Sequence, residues 1–140
     1  MYKRQATDNL DLYASVGFTD SHIDNLVGNP GVIGNKAPLA AKSTINAGLQ
    51  FHQPVSNGLT AVARLDFQQL GRTWWAPDNA TSRDPVNLID VRAGVDGGKW
   101  SLMAWSKNLG DKKYNTESSP GGFLWKAQPR RLGLEYTYKF

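Results

Sequence analysis

The chain has 140 residues, 40% of them hydrophobic and 20% charged, which suits one folded domain and excludes a disordered chain. No run of about 18 apolar residues exists, so a transmembrane helix is excluded. The absence of cysteine removes disulfides, thiolate metal sites and cysteine nucleophiles. The net charge of +4 comes from scattered lysines and arginines, which argues against a nucleic-acid stripe.

Met1 to Asn9 are polar with no apolar core behind them, so residues 1–9 are expected to be a disordered or leading segment without a secretory signal. From there a period of two dominates. Leu10, Leu12, Ala14, Val16 and Phe18 alternate with Asp11, Tyr13, Ser15, Gly17 and Thr19. Such a stretch is a strand with one apolar and one polar face. The pattern returns at Ile45, Ala47, Leu49 and Phe51, at Leu59, Ala61, Ala63, Leu65 and Phe67, and at Ile89, Val91, Ala93 and Val95. Trp100 to Lys107 is strand-like with ambiguous faces, because Met103 and Trp105 oppose Trp100, Leu102 and Ala104. Leu132, Leu134, Tyr136, Tyr138 and Phe140 oppose Gly133, Glu135, Thr137 and Lys139 in the last strand.

The connections alternate in length. Pro54 to Gly58 and Asp96 to Lys99 are short turns rich in glycine and turn formers. Those near 21–41, 71–85 and 111–127 are long. An up-and-down meander with its short turns at one end has this property, as outer-membrane barrels do. The expected fold is therefore all-β, an antiparallel meander of about six long strands over 10–140, forming part of a transmembrane β-barrel.

Alternation also describes a soluble β-barrel or sandwich that binds a small apolar ligand on an inward apolar face. Three features favour the membrane. Strands of about nine to eleven residues cross a bilayer when tilted. The polar face carries Asp11, Arg64, Asp66, Asp90, Arg92 and Glu135 among glycines. Phe18, Phe51, Phe67, Trp74, Trp75, Trp100, Tyr138 and Phe140 lie near strand ends, where interfacial aromatics belong.

Several segments resemble a known family. Leu132 to Phe140 resembles the closing strand of bacterial outer-membrane proteins. Asn108, Leu109, Asp111 and Tyr114 are similar to the Asn-Leu-x-Asp-x-x-Tyr signature late in the barrel of TonB-dependent receptors, and Gln128-Pro129-Arg130-Arg131 is similar to the lead into their final strand. The segments at 9–20 and 35–38 fall in the order usual for that family.

The resemblance implies a receptor in the outer membrane of a Gram-negative bacterium. Such receptors take up scarce nutrients such as ferric siderophores through a barrel of about 22 strands plugged by an N-terminal domain. Six strands are too few to close a barrel, since about eight is the minimum. The expectation is thus the C-terminal barrel segment of such a receptor, with the plug and earlier strands absent, no enzymatic activity and no cofactor. The implied partners are outer-membrane lipid, the barrel-assembly machinery, the remaining barrel and plug, and TonB indirectly through the plug. No nucleic acid is expected.

Tyr136, Tyr138 and Phe140 are the implied assembly signal, read as an added strand edge. Asn108, Leu109, Asp111 and Tyr114 read better as a strand-to-loop rim than as ligand contacts. Arg64, Asp66, Asp90 and Arg92 lie on the polar face of adjacent strands and are expected to cross-pair as a lumen ladder. Two readings stay open for Arg72, Trp74 and Trp75: holding a siderophore or sugar, or anchoring at the outer interface. His22 and His52 are isolated, and no Ser-His-Asp, phosphate-loop or zinc-helix pattern is present.

Overall fold

The structure, a computed structural model, describes residues 2–56, 58–119 and 121–140, the first six of these by backbone alone. In chain order its strands are β1 (Tyr2–Thr7), β2 (Leu10–Phe18), β3 (Ser43–Ser56), β4 (Leu59–Leu70), β5 (Thr73–Trp74), β6 (Ser82–Arg83), β7 (Val86–Asp96), β8 (Trp100–Lys107), β9 (Asn115–Ser118), β10 (Leu124–Lys126) and β11 (Arg131–Tyr138). Seven of them form one antiparallel sheet in the order β1-β2-β3-β4-β7-β8-β11. The pairs β5–β6 and β9–β10 are small hairpins within the long connections, and the first long connection holds a 3-10 turn at Pro30–Val32.

Residues 2–7 correct the expectation of a disordered or leading segment. They form β1, paired with β2 from Tyr2↔Ala14 to Thr7↔Leu10. The stretch Tyr-Lys-Arg-Gln-Ala-Thr has almost no apolar alternation. Its strand state comes from hydrogen bonds to the free edge of β2, and local patterning does not report such pairing. With β1 in place the alternation of connections extends, because β1 and β2 also join through a short turn. Asn57, in the expected Pro54–Gly58 turn, lies outside the described residues.

The register keeps like with like. Leu12, Leu49, Leu65 and Val91 form one row across β2, β3, β4 and β7, and Leu10, Phe51, Ala63, Ala93, Ala104 and Leu134 form another. β8 loses its ambiguity. Pairing places Leu102 and Ala104 in the apolar rows, and Met103 and Trp105 opposite Gly94 and Arg92 on the polar face.

Among the described residues, nothing in the sheet covers the apolar face. Phe18 is 80% exposed, Leu134 78% and Tyr136 64%. Val32, Trp75 and Met103 are the buried hydrophobic residues among those described, and none of them lies on that face. A soluble sandwich or barrel turns its apolar face inward, where it is buried. This sheet presents its apolar face outward, in a band that ends in Phe18 at the long-loop end and the Trp100↔Tyr138 pair at the short-turn end. Phe51 and Phe67 lie inside their strands, not at the ends expected from the sequence.

On the polar face, large rings lie over glycines. The Tyr13 ring covers Gly48 and the Trp105 ring covers Gly133, each so close that a Cβ at the glycine would overlap the ring. Gly48→Ala and Gly133→Ala must push those rings aside, at a cost of about 1–3 kcal/mol each. Both should lower the midpoint of heat-induced unfolding of the full-length protein, followed by its mobility shift in detergent gels. Gly17→Ala, whose Cβ meets nothing nearer than the Thr44 carbonyl at 4.0 Å, should leave it unchanged.

Candidate functional site

The charged residues of the polar face pair differently from the expected ladder. The register sets Arg64 opposite Arg92 and Asp66 opposite Asp90, so like charges face each other across β4 and β7. Directly opposed like charges are unfavourable, and each group turns elsewhere. Arg64 runs along its own strand to Asp66, with Nε 2.8 Å from Oδ2 and Nη2 2.9 Å from Oδ1. Its guanidinium carbon also lies 5.4 Å from the Tyr13 ring centre. Arg92 reaches past β8 to Glu135 on β11 at 2.6 Å. Asp90 accepts from Lys107 Nζ and from the Asn108 backbone N–H, both at 2.9 Å.

The network therefore includes Lys107 and Glu135 besides the four residues singled out in the sequence. Each strand alternates these charges correctly. Their partners depend on which strands become neighbours and in what register. Arg64, Asp66, Asp90, Arg92, Lys107 and Glu135 line a cavity of about 370 Å³. These pairs are solvent-exposed and contribute little stability, about 0.2–1 kcal/mol each. Their effect is to hold a wet, charged wall in one arrangement.

The motif residues sit where β8 gives way to the third long connection. Asn108 is buried and has φ of +51°, and Asp111 has φ of +47°, a region that Asn and Asp tolerate better than most residues. Asn108 Nδ2 donates to the Lys112 and Gln128 carbonyls at 3.0 and 3.2 Å, and its Oδ1 accepts from the Lys112 N–H at 2.9 Å. Asp111 Oδ1 accepts from the Arg130 N–H at 2.9 Å, just before β11. The Leu109 N–H donates to the Ile89 carbonyl at 2.8 Å. These bonds clamp both ends of the connection to β7 and β8. Tyr114 stands apart, with the Arg83 guanidinium 5.7 Å from its ring centre.

The two adjacent tryptophans separate. Trp75 is buried in the loop layer, and its backbone N–H donates to the Thr81 carbonyl at 3.1 Å. Trp74 lines a cavity of about 250 Å³ with Arg72, Lys36, Lys42, Thr19 and Ser21. Arg72 lies 5.9 Å from the Trp74 ring centre and donates to Asp84 Oδ1 at 2.7 Å. Strand alternation carried past Leu70 places Arg72 on the same side as the charged wall. This cavity therefore opens at the long-loop end of the polar face.

Asn79 organises these loops and was not singled out in the sequence. Its Oδ1 accepts from the Lys36 N–H at 2.8 Å, and its Nδ2 donates to the Lys36 carbonyl at 2.9 Å and the Ala76 carbonyl at 3.1 Å. Its φ of +53° is the geometric reason for an asparagine there. Lys36 Nζ in turn bonds Asp20 Oδ1 at 2.5 Å and contacts His22 Nε2 at 2.6 Å. Among the described residues, no group of three His, Cys, Asp or Glu side chains is placed to hold a metal ion.

Tyr136 and Tyr138 continue the apolar face of β11, and the Tyr138 and Phe140 rings meet edge to face at 5.3 Å. The far edge of β11 has no partner strand among the described residues.

The chain matches no protein-family profile. Its structure is similar to those of solved receptors. The ferric yersiniabactin uptake receptor FyuA from Yersinia pestis aligns over 99% of this chain and 22% of its own, with a TM-score of 0.86 and 15% identity. BauA, the ferric preacinetobactin receptor from Acinetobacter baumannii, aligns over 99% of this chain and 21% of its own, with a TM-score of 0.82 and 18% identity. The siderophore receptor PiuA from Acinetobacter baumannii aligns over 96% and 20%, with a TM-score of 0.75 and 18% identity. The sheet thus has the fold of a segment of these receptors, and the chain spans about a fifth of their length.

The hydrogen bond and the charge of Lys36, with smaller contributions from His22 and Lys42, hold the Asp20 carboxyl below the ordinary carboxylate range. The link therefore favours the ordered loop above the unfolded carboxylate pKa and is lost as pH falls through the depressed value. In Lys36→Met the Asp20 carboxyl should titrate at higher pH. A carboxyl carbon-13 NMR titration of the labelled full-length protein reads this, and an unmoved titration would refute the assignment.

Proposed function

We propose that this chain is the C-terminal barrel segment of a TonB-dependent outer-membrane receptor for energised uptake of a scarce nutrient such as a ferric siderophore. The observation that carries the reading is the alignment of nearly the whole chain with three siderophore receptors at TM-scores of 0.75 to 0.86. The outward apolar face supports it. Lipid provides the apolar surroundings that this face requires, and the paired strands satisfy backbone groups that lipid cannot.

In this reading the apolar rows contact lipid of a Gram-negative outer membrane. The Arg64–Asp66, Arg92–Glu135 and Asp90–Lys107 wall faces the wet lumen and the plug. The edges of β1 and β11 continue into the rest of the barrel. The cavity beside Arg72 and Trp74 opens at the outer mouth, where ligand arrives. The segment contributes wall and rim, with no catalytic step, and TonB acts on it indirectly through the plug.

The test is iron uptake by the full-length protein in a strain stripped of its own ferric-siderophore receptors. Outer-membrane location and TonB-dependent uptake from at least one siderophore of a panel are expected. A correctly inserted protein that supports no TonB-dependent uptake of any nutrient tested would overturn the transport reading.

Tyr136, Tyr138 and Phe140 are proposed as the edge that the barrel-assembly machinery reads, through backbone bonds and alternate aromatic side chains. Deleting Phe140 from the full-length protein should reduce its folded surface level severalfold. Unchanged levels on gels of outer-membrane fractions would remove that role.

A further inference from the structure

A second cavity at the long-loop end lies on the opposite, outward side of the sheet. On the apolar face, the row beyond Phe67 and Ile89 is polar, and Gln69 Nε2 donates to Asn87 Oδ1 there at 3.0 Å. Next to Asn87, the residues Arg83, Asp84, Lys112, Lys113 and Tyr114 line a cavity of about 430 Å³. Its height is that of the boundary between the apolar rows and the loops.

The charge in this cavity is not balanced from within. Among the described residues, Arg83, Lys112 and Lys113 make no salt bridge, and the Asp84 carboxylate is engaged by Arg72 from elsewhere. Arg83 is partly satisfied, since its Nη2 donates to the Gly71 carbonyl and to Thr73 Oγ1, each at 3.1 Å. Its Nε is buried without an acceptor. Burial also pushes the guanidinium pKa down, a sign that the cation is held at a desolvation cost. A buried charged donor left unpaired is costly and calls for a partner. Tyr114 places a ring with a polar tip beside it, a residue type suited to a membrane boundary.

We propose that this cavity binds the phosphate of a lipid headgroup, with the Arg83 guanidinium, Lys112 and Lys113 as its donors. Basic clusters at the edge of a membrane-spanning surface attract anionic headgroups, and a guanidinium suits phosphate geometry. The apolar rows directly below would receive the acyl chains of the same molecule. The site rests on the membrane-barrel reading and is separate from the ligand cavity on the inner side.

The test uses the full-length protein in an uncharged detergent. Native mass spectrometry follows titration with diphosphoryl lipid A, phosphatidylglycerol, phosphatidylcholine and inorganic phosphate. The phosphorylated anionic lipids should bind at least about tenfold tighter than phosphatidylcholine. Lys112→Ala/Lys113→Ala should remove most of that difference. Both lysine side chains are exposed, and the Lys112 backbone bonds to Asn108 remain in the variant. Arg83→Gln should weaken binding in the same direction. Equal binding by the variants, or competition by inorganic phosphate at matched concentration, would overturn the lipid site. Persistent iron uptake alongside such a result would leave the transport reading standing, whereas a protein absent from the outer membrane would overturn the transport reading itself.

Discussion

From β2 through β7 the strands pair without a slip through the row of Leu12, Leu49, Leu65 and Val91 and the rows beside it, and the arrangement of both faces depends on that continuous register. Side chains alternate with a period of two, so a slip of one residue on any strand would exchange its faces. The charges of β4 and β7 would then point into the apolar rows. The short turns sit at one end of the sheet and join β1 to β2, β3 to β4 and β7 to β8, while the long connections join the other pairs and fold among themselves at the other end.

The two faces use their material differently. The apolar face has no covering layer among the described residues, and its leucines, alanines and aromatics require an apolar environment outside the sheet. The polar face carries its own packing, in rings laid over glycines. Tyr13 over Gly48 and Trp105 over Gly133 fill space that the missing Cβ atoms leave. They also place aromatic surface and a phenol beside the charges. Arg64 lies against the Tyr13 ring and donates to its hydroxyl at 3.3 Å, so one residue links the packing and the ion-pair network.

The long connections form a layer with their own bonds. Asn79 reads the backbone of Lys36, Asn35 Nδ2 donates to the Pro77 carbonyl at 2.9 Å, and the Leu39 N–H donates to the Trp74 carbonyl at 2.8 Å. The first two long connections thereby support each other, and the third is clamped to β8 and β11 by Asn108 and Asp111. Cavities open on both sides of this layer, the one beside Trp74 above the polar face and the one beside Arg83 above the apolar face.

Alternation of apolar and polar residues determined, from the sequence by itself, the strand class, the meander and the two faces of most strands, because side-chain direction along a strand is a local property. The motif from Asn108 to Tyr114 was legible too, since it combines turn-forming residue types at short range. Partners were not legible. Which charges meet depends on strand order and register, so Arg92 finds Glu135 across an intervening strand, while Arg64 finds Asp66 on its own. β1 was hidden because its strand state comes from the edge of β2, with no pattern of its own. The roles of Trp74 and Trp75 and the grip of Asn79 on Lys36 belong to the packing of loops that are distant in sequence, and only the tertiary structure decided them.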